Sequence, residues 1–432
     1  MTKSKTIKIL ELLLVLIPVS IIIGPFFADL LVVLSMLIFI FYLFKDNQSI
    51  FFLKDKFLFY FTIFFLFIFF NSLFNNGNYY SIKTSITFVR FIFFYLIIIF
   101  ICEKCEINFF NKLYKIFMII FGVLFIDSSI QLFFDQNILS YKSPYPGRIS
   151  SLFGDELILG SYISKFFPLL FYFHVKKYGF QGKPFRLLVI SLLTYFTTLI
   201  SGERIAFLSI NLFFILIIIF YIRYFFSLKL LSFIVLVFLI NLITYSNSST
   251  LKERYFQKTL NQTVLKNDFK IEGLNIKKNT LTEKINNNRF FQYVPYEYRL
   301  YFLTSINIFN DNIILGKGTK SYRYECGNEK YVISKSYSCS THPHNFYFQM
   351  LAENGIIGFG FLFLFNIYCF LTIIKKILYK KKYDFSYPLV SGIFVFYFPF
   401  IFTGNVFNNM VCIFSFFVIG FYMYEKNIKY HD

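Results

Sequence analysis

The chain alternates long apolar runs with short polar connections over most of its length. A helix that crosses a bilayer needs roughly 20 apolar residues, within a range of about 17–25. By that measure the sequence predicts about twelve membrane helices. Their approximate bounds are 9–26, 28–44, 57–74, 85–101, 114–134, 156–173, 185–200, 205–222, 229–245, 345–374, 388–404 and 409–424. The pattern is therefore typical of an all-α polytopic membrane protein with one large extracytoplasmic loop.

The composition agrees with this interpretation. Hydrophobic residues make up 57% of the 432 residues, and the mean hydropathy is +0.60. Only 15% of the residues are charged, against about 25% in a soluble domain. A soluble core does not need apolar runs of this length. The sequence therefore predicts that the lipid bilayer surrounds most of the protein.

The distribution of the net charge of +20 predicts the topology. Lysine and arginine cluster in alternate short connections and at both termini, whereas the opposite connections carry few of them. The positive-inside rule then places both termini in the cytoplasm and the loop 246–344 outside. A nucleic-acid binder would gather such charge on a soluble domain, so no nucleic-acid partner is predicted.

Three parts follow from the pattern. Residues 1–245 form an N-terminal bundle of about nine helices, 246–344 form the extracytoplasmic loop, and 345–432 contain about three further helices. The first half of the loop is rich in Lys and Asn. In its second half, Tyr298–Phe309 fits an amphipathic helix at the membrane interface.

Some polar residues have structural interpretations. Cys326 and Cys339 lie in the loop, where an extracytoplasmic location would permit a disulfide. Asp127, Lys165 and Arg90 lie inside apolar runs, where a charge is costly unless it is paired or faces water. We predict that these three charges are ion partners that pack helices together.

The segment from Thr341 to Gly358 lies where the polar loop meets an apolar run. Thr341 is predicted to cap the helix, and Pro343 is tolerated in a first turn because its missing N–H has no helical partner there. A helix start offers unpaired N–H groups and a partial positive charge to a ligand. Gly355 and Gly358 lack side chains, so we expect a neighbouring helix to approach closely there.

This segment resembles a motif of the O-antigen ligase and polymerase family of bacterial membrane proteins. The family pattern is His, then Asn, Ser or Gln, nine residues and Gly-x-x-Gly; here it is His344-Asn345, nine residues and Gly355-Ile-Ile-Gly358. The resemblance implies a GT-C-like glycosyltransferase bundle of twelve helices, with cytoplasmic termini and one periplasmic loop before the His motif. It covers roughly residues 145–375 by motif and the rest by layout.

The resemblance also implies three arginines in the site. Arg204 ends the turn Ser201-Gly-Glu-Arg, Arg299 precedes Gly316-Lys-Gly318, and Arg148 precedes a helix. Alone, Arg204 fits better as an interface anchor or as an ion partner of Glu203 or Glu353. Arg299 alone fits a solvated loop residue equally well. Three further candidate substrate-binding residues lie in the polar first part of the segment from Thr341 to Gly358: Asn345, His342 and Glu353.

The implied activity is transfer of a glycan from an undecaprenyl-diphosphate carrier to lipid A-core or another glycan acceptor, at the periplasmic face of the bacterial inner membrane. Arg204 and Arg299 would hold the diphosphate and oppose the negative charge on the leaving group. A neutral His344 would accept the proton of the attacking hydroxyl. On the outer side the sequence has no nucleotide-binding glycine loop, Asp-x-Asp or metal-ligand set, so no cofactor and no metal are predicted.

Alternative functions remain open at this stage. A polymerase of the same family would transfer to another carrier-linked repeat, and a protein glycosylase to a side-chain hydroxyl. A transporter or flippase of lipid-linked sugars would share the helices and an arginine-lined pocket. Its charges, however, should cluster near the middle of the bilayer within paired inverted halves.

Overall fold

The structure is a computed structural model that describes residues 3–45, 56–75, 78–179, 182–225, 228–257, 259–260, 281–286, 288, 291, 293–334, 339–379 and 384–428. Within these ranges the regular structure is helical, apart from an isolated β-bridge between Gln136 and Lys142. Several basic residues used to predict the topology, such as Lys54 and Lys381, lie outside the described residues.

The helices are α1 (Lys3–Ile23), α2 (Pro25–Lys45), α3 (Lys56–Phe74), α4 (Tyr79–Phe134), α5 (Leu159–Tyr178), α6 (Pro184–Ile200), α7 (Arg204–Phe225), α8 (Leu228–Asn247), α9 (Ser249–Lys252), α10 (Leu281–Asn286), α11 (Tyr296–Asp311), α12 (Tyr322–Glu325), α13 (Phe346–Tyr379), α14 (Tyr387–Phe396) and α15 (Asn409–Ile428). A short 3₁₀ turn (Ser151–Phe153) precedes α5, and a π-turn (Glu253–Gln257) follows α9.

Seven helical stretches in the described part of the chain are long and apolar enough to cross a membrane. The number is eight if the bent pair Ser232–Ser246 and Ser249–Gln257 forms one span. The predicted all-α polytopic membrane architecture is therefore confirmed. The number of about twelve spans stays a prediction. Helices α5 and α15, of 20 residues each, are not among these stretches, and α6 and α14 are shorter, with 17 and 10 residues.

The assigned helix α4 contains both of the predicted runs 85–101 and 114–134. They form two candidate spans, Tyr79–Cys105 and Ile107–Phe134. Phe94 of the first span lies 5.7 Å from the ring of Phe417, and Phe117 of the second reaches the same ring through Phe166, at 5.2 Å and 6.0 Å. A straight helix would separate residues 94 and 117 by about 35 Å, so the chain turns back between the two spans, as two separate runs require.

The predicted run 388–404 is helical only as far as Phe396. Pro399 follows closely, and the residue before a proline is disfavoured in the helical conformation. The chain after α14 therefore leaves the helix axis, and Phe402 reaches the walls of the cavities described below.

Phenylalanine rings fill the space between α4, α5 and α15. Phe166 on α5 meets Phe414 on α15 with ring centroids 4.7 Å apart, and Phe94 on α4 stacks on Phe417 at 5.7 Å. Rings in these arrangements contribute attraction beyond their buried area. The resulting core holds α5 firmly, so that its first turn is a fixed wall for the candidate site.

Two of the charges inside apolar runs are satisfied within the bundle. Arg90 pairs with Asp29 at 2.8 Å and donates to Asn409 Oδ1 at 2.7 Å, as predicted for a helix-packing ion partner. Asp127 accepts a hydrogen bond from Ser151 Oγ at 2.5 Å. Asp127 thus anchors the turn before α5 through a hydroxyl donor.

Candidate active site

Two neighbouring cavities lie where α5, α7 and α13 begin. The larger, of about 740 Å³, is called the arginine cavity because Arg148, Arg204 and Arg254 line it. The smaller, of about 430 Å³, is called the histidine cavity because His342 and His344 line it. Three residues line both: Ile205, Tyr298 and Phe402. Both volumes lie in the range of about 300–1,000 Å³ that ligand pockets typically have.

The turn between α6 and α7 positions two of the arginines. Gly202 in this turn has a φ of +66°, and a Cβ there would lie 2.2 Å from the carbonyl oxygen of Gly147, so only glycine fits. Arg254 Nε donates to the carbonyl oxygen of Gly202 at 2.5 Å. Arg204 Nη1 donates to Thr259 Oγ1 at 3.1 Å. The turn and the first part of the loop therefore fix each other.

The carboxylate of Glu203 fastens α5 to the same turn. It accepts hydrogen bonds from Gly160 N at 2.7 Å and from Ser161 Oγ at 2.6 Å. Both donors belong to the first turn of α5, where backbone N–H groups have no partner within the helix. Burial raises the pKa of the Glu203 carboxyl, and the hydrogen bond from Ser161 and the charge of Arg148 oppose that rise.

Arg148 reaches the arginine cavity from the segment before α5. One of its Nη atoms donates to the carbonyl oxygen of Leu157 at 2.8 Å. Burial raises the pKa of Tyr298, and the positive charges of Arg204, Arg148 and Arg254 oppose that rise, so all three act on one wall residue. Guanidinium groups bind phosphate oxygens through paired hydrogen bonds. The cavity is therefore suited to a polyanionic ligand.

His344 lies against two tyrosines of α11. Its ring centroid is 5.5 Å from that of Tyr298, 5.5 Å from that of Tyr301 and 4.2 Å from that of His342. The carbonyl oxygen of His344 accepts a hydrogen bond from Thr403 N at 2.8 Å. These contacts hold the imidazole in the wall of the histidine cavity.

Burial favours the neutral form of both histidines of this cavity. Burial lowers the pKa of His344 below its ordinary value of 6.5. Burial, and then the neighbouring His344, lower the pKa of His342 to about 4. A neutral imidazole can accept a proton, as a general base must. His344 is thus in the protonation state that the predicted role requires.

The prediction that Thr341 caps the helix is wrong. Helix α13 begins at Phe346, because His344 has a φ of +59°, a left-handed conformation that cannot belong to a right-handed helix. Asn345 is the cap: its Oδ1 accepts hydrogen bonds from the N–H groups of Tyr347 at 2.9 Å and Phe348 at 3.2 Å.

Asn345 uses its whole amide group inside the protein. Besides capping α13, its Nδ2 donates to the carbonyl oxygens of Pro399 at 2.8 Å and Ile401 at 3.5 Å. These bonds tie α13 to the chain after α14. The substrate-binding role predicted for Asn345 stays a prediction, and the observed contacts are those of a positioning residue.

The roles predicted for Gly355 and Gly358 need correction, because no neighbouring helix is the closest contact. Gly355 breaks α13 with a φ of +61°, and a Cβ there would lie 2.2 Å from the carbonyl oxygen of Ile314. The loop 312–318 therefore packs its backbone directly on the break. A Cβ on Gly358 would instead meet Asn354 of the same helix at 2.3 Å.

Glu353 lies below the same loop. Its carboxylate accepts hydrogen bonds from Lys320 N at 2.9 Å, Gln349 Nε2 at 3.0 Å and Tyr322 N at 3.4 Å. Glu353 is fully buried and lines neither the arginine nor the histidine cavity. The predicted substrate contact is untested, and the observed bonds hold the Gly316-Lys-Gly318 loop on α13.

Replacement of Gly355 by alanine is expected to lower the amount of folded protein severely. The new methyl group would overlap the Ile314 carbonyl and force a residue with a Cβ into a φ of +61°. The measurement is the fraction of monodisperse protein after extraction, with its thermal midpoint. Gly360→Ala is the matched control, because a Cβ at Gly360 meets nothing within 4 Å. Equal behaviour of the two variants would contradict this account of the break.

Arg299 is buried beside Tyr296, with its guanidinium 5.9 Å from that ring centroid. It lines neither cavity, although its neighbour Tyr298 lines both. The predicted meeting of Arg204, Arg299 and His344 in one cavity is therefore only partly what the structure shows. Of the three, only Arg204 and His344 line these adjoining cavities.

Arg254 and Tyr298 were not predicted from the sequence. Arg254 lies in the half of the loop where most basic residues are lysines. A guanidinium group suits phosphate better than an ammonium group does, so a lone arginine among lysines was the available signal. Tyr298 and Tyr301 are three residues apart and therefore share one face of α11.

A disulfide joins Cys326 and Cys339, whose Cα atoms are 5.0 Å apart. This is the pairing that the sequence permits. The bond ties the end of α12 to the segment that enters the site at His342 and His344.

The fold and the site thus define a multi-pass helical membrane protein with a cationic cavity beside a neutral histidine pair. Residues 188–363 match the family model described as O-Antigen ligase. Residues 188–363 thus form a domain that is similar to the O-antigen ligase family, and the resemblance predicted from the His344 motif is confirmed. The matched range includes Arg204, Arg254 and His344 and excludes Arg148. A search of curated proteins gave no match.

Proposed function

We propose that this protein is a membrane glycosyltransferase that moves a glycan from an undecaprenyl-diphosphate carrier to an acceptor sugar, as an O-antigen ligase does. The family domain indicates a membrane enzyme of the ligase or polymerase type. One observation carries the finer proposal: a cavity lined by three arginines adjoins a cavity lined by a neutral His344. A diphosphate and an acceptor hydroxyl can then approach each other across a shared wall.

In the proposed reaction, the acceptor oxygen forms a bond to the anomeric carbon as the bond from that carbon to the diphosphate oxygen breaks. His344 takes the proton of the attacking hydroxyl. The carrier diphosphate leaves with the bonding electron pair, and Arg148, Arg204 and Arg254 oppose the negative charge that develops on it. Since these arginines supply fixed charge, the proposed reaction needs no metal and no cofactor.

Apolar side chains in the arginine cavity support a lipid carrier as donor. Phe207, Leu208 and Phe256 line this cavity together with the arginines. An isoprenoid chain needs an apolar surface directly beside the site of its diphosphate, because transfer of that chain into water is unfavourable. The cavity offers both surfaces at once.

We further propose that the protein lies in the bacterial inner membrane with both termini in the cytoplasm and the site at the periplasmic face. The alternating Lys and Arg clusters support this orientation. The Cys326–Cys339 disulfide supports it too, because disulfides persist in oxidising compartments. The twelve-helix layout and the division into 1–245, 246–344 and 345–432 belong to the same proposal.

The test of the proposed function is deletion of the gene, followed by gels of surface polysaccharide and analysis of carrier-lipid extracts. A ligase predicts unattached long glycan chains that accumulate on the carrier. Reintroduction of the wild-type gene should restore attachment, and an equally expressed His344→Gln variant should not.

Other outcomes of the deletion would overturn the ligase proposal. Single repeats attached to the acceptor would instead indicate the polymerase activity of the same family. Carrier-linked glycan that stays on the inner leaflet, out of reach of an externally added glycosidase, would indicate a flippase. Unchanged surface polysaccharide and unchanged carrier pools would contradict both enzymatic versions.

A further inference from the structure

Lys165 is a cation of the histidine cavity that the proposed reaction does not use. It lies on α5 and lines this cavity together with His344. Its Nζ lies 5.3 Å from the ring centroid of Phe396 and 5.2 Å from that of Phe414. Among the described residues it makes no hydrogen bond and no ion pair, so the helix-packing partner predicted for it is not found.

The surroundings of Lys165 attract a cation without neutralising it. The faces of Phe396 and Phe414 carry negative partial charge and favour an ammonium group. Glu203 acts on Lys165 through space, but its oxygens accept hydrogen bonds from Gly160 and Ser161. An ammonium group among apolar and aromatic side chains is costly unless it meets an anion or water. The cavity in front of Lys165 is where such an anion can bind.

The same cavity is chemically suited to a sugar. Three serines, Ser161, Ser164 and Ser209, also line it. Each of their hydroxyls donates to a protein acceptor and keeps its lone pairs for the hydroxyl groups of a sugar. Its volume of about 430 Å³ is that of a small-ligand site. Because His344 lies in this wall, a sugar in the cavity would present its hydroxyl groups to the imidazole.

We propose that the histidine cavity is the acceptor subsite and that Lys165 binds a carboxylate or phosphate group on the acceptor glycan, so that the protein prefers an acidic acceptor. This inference rests on the proposed function, because it takes His344 as the base that acts on the acceptor. Lys165 is a specificity-determining residue in this scheme, and it takes no part in the bond changes.

The carrier diphosphate is a second possible source of the anion, but the geometry favours the acceptor. The arginine cavity already offers three guanidinium groups to the diphosphate, from Arg148, Arg204 and Arg254. Lys165 does not line that cavity, and a wall that includes Tyr298 and Phe402 lies between the two.

Ligand-observed NMR on the full-length protein in nanodiscs tests the subsite without any transfer reaction. The probes are methyl β-glucuronoside, methyl β-glucoside and its 6-phosphate. We expect the two anionic probes to bind about tenfold or more tightly than the neutral one, because a hydrogen bond to a charged group is among the stronger ones. Lys165→Gln should remove this preference, and Lys165→Arg should keep it.

Lys177→Gln is the matched control. Lys177 lies on the same helix, also over aromatic rings, at 5.3 Å from the Tyr114 centroid and 5.5 Å from the Tyr178 centroid, and it lines neither cavity. This variant should bind all three probes like the wild type. Equal binding of the three probes to the wild type would overturn the proposal, as would a preference that survives in a well-folded Lys165→Gln protein.

Farnesyl diphosphate, added as a fourth probe, separates the two sources of the anion. We expect Lys165→Gln to bind it within about twofold of the wild type. A loss of tenfold or more for this probe, with the preference among saccharides unchanged, would assign Lys165 to the donor and refute the acceptor subsite.

Transfer kinetics separate failure of the subsite from failure of the proposed function. Acceptor glycolipid from the deletion strain is used as extracted and after chemical reduction of its carboxyl groups. We expect Lys165→Gln to raise the acceptor KM about tenfold with little change in kcat and in the donor KM, and only for the acidic acceptor. If anionic saccharides bind more tightly but no glycan is transferred, the subsite stands and the transferase proposal is rejected. If glycan is transferred at the same rate with and without Lys165, the transferase proposal stands and the subsite is rejected.

Discussion

Replacement of His344 by glutamine is expected to reduce glycan transfer by about 10²–10⁴-fold, the usual contribution of a general base. Glutamine has a polar side chain of similar reach but accepts no proton at neutral pH. The ring stands against Tyr298 and Tyr301, and its backbone carbonyl is held by Thr403 N, which glutamine leaves in place. We therefore expect kcat to fall while the variant remains folded.

The pH profile of the wild type adds a second measurement of the same role. Burial lowers the pKa of His344 below 6.5, so the neutral, proton-accepting form predominates above that lowered pKa. Transfer should rise with pH to a plateau, with the midpoint of the rise below 6.5. His344→Gln should lose this acidic limb together with the rate.

The control for this variant is His174→Gln. His174 is fully buried, whereas His344 is partly exposed to its cavity. The Nδ1 atom of His174 lies 3.1 Å from the hydroxyl oxygen of Tyr114, and His174 lines neither cavity. If His344→Gln transfers glycan within a few-fold of the wild type, or keeps the acidic limb, the base is another group.

The helical architecture could be predicted from the sequence because each apolar run is long and polar connections interrupt the runs regularly. One exception has a local physical cause: the predicted run 388–404 is helical only as far as Phe396, shortly before Pro399. Hydropathy does not respond to this cause, because it measures composition and not backbone geometry.

The site was predictable only where a residue belongs to a motif. His344 and Arg204 are such residues, and the structure places them in adjoining cavities. Arg254 is held at the arginine cavity by its hydrogen bond to the carbonyl oxygen of Gly202. The two residues are 52 positions apart, so no sequence spacing predicts this contact. The cap of α13 is Asn345 and not the predicted Thr341, because the backbone of His344 has a positive φ. A backbone angle of this kind cannot be inferred from the sequence pattern.

Replacement of Arg204 by lysine is expected to lower kcat/KM for the lipid-linked donor by about ten- to a hundredfold. Lysine keeps the charge but loses the planar pair of N–H donors that matches a phosphate, and hydrogen bonds between charged groups are among the stronger ones. The loss should be largest in kcat, because the diphosphate gains negative charge as the glycosidic bond breaks. Steady-state kinetics at varied donor concentration give kcat and the donor KM separately.

Arg186→Lys is the control for the general effect of replacing an arginine by lysine in this protein. Arg186 lies near the start of α6, whereas Arg204 follows the end of that helix, so the two are separated by its length. Wild-type kinetics for Arg204→Lys would leave Arg204 as an interface anchor. A loss of equal size in both variants would point to a general loss of stability.

A double-variant cycle decides whether Arg204 and Arg254 serve one diphosphate. Arg204 donates to Thr259, and Arg254 donates to the carbonyl oxygen of Gly202, so each guanidinium group has a contact of its own. Two groups that bind the same ligand couple, whereas independent groups have additive free-energy effects. We therefore expect the fold-loss in kcat/KM of the Arg204→Lys/Arg254→Lys double variant to differ clearly, in either direction, from the product of the fold-losses of the two single variants. Strict additivity would mean that the two arginines act on separate ligands, and the single-diphosphate cavity would have to be abandoned.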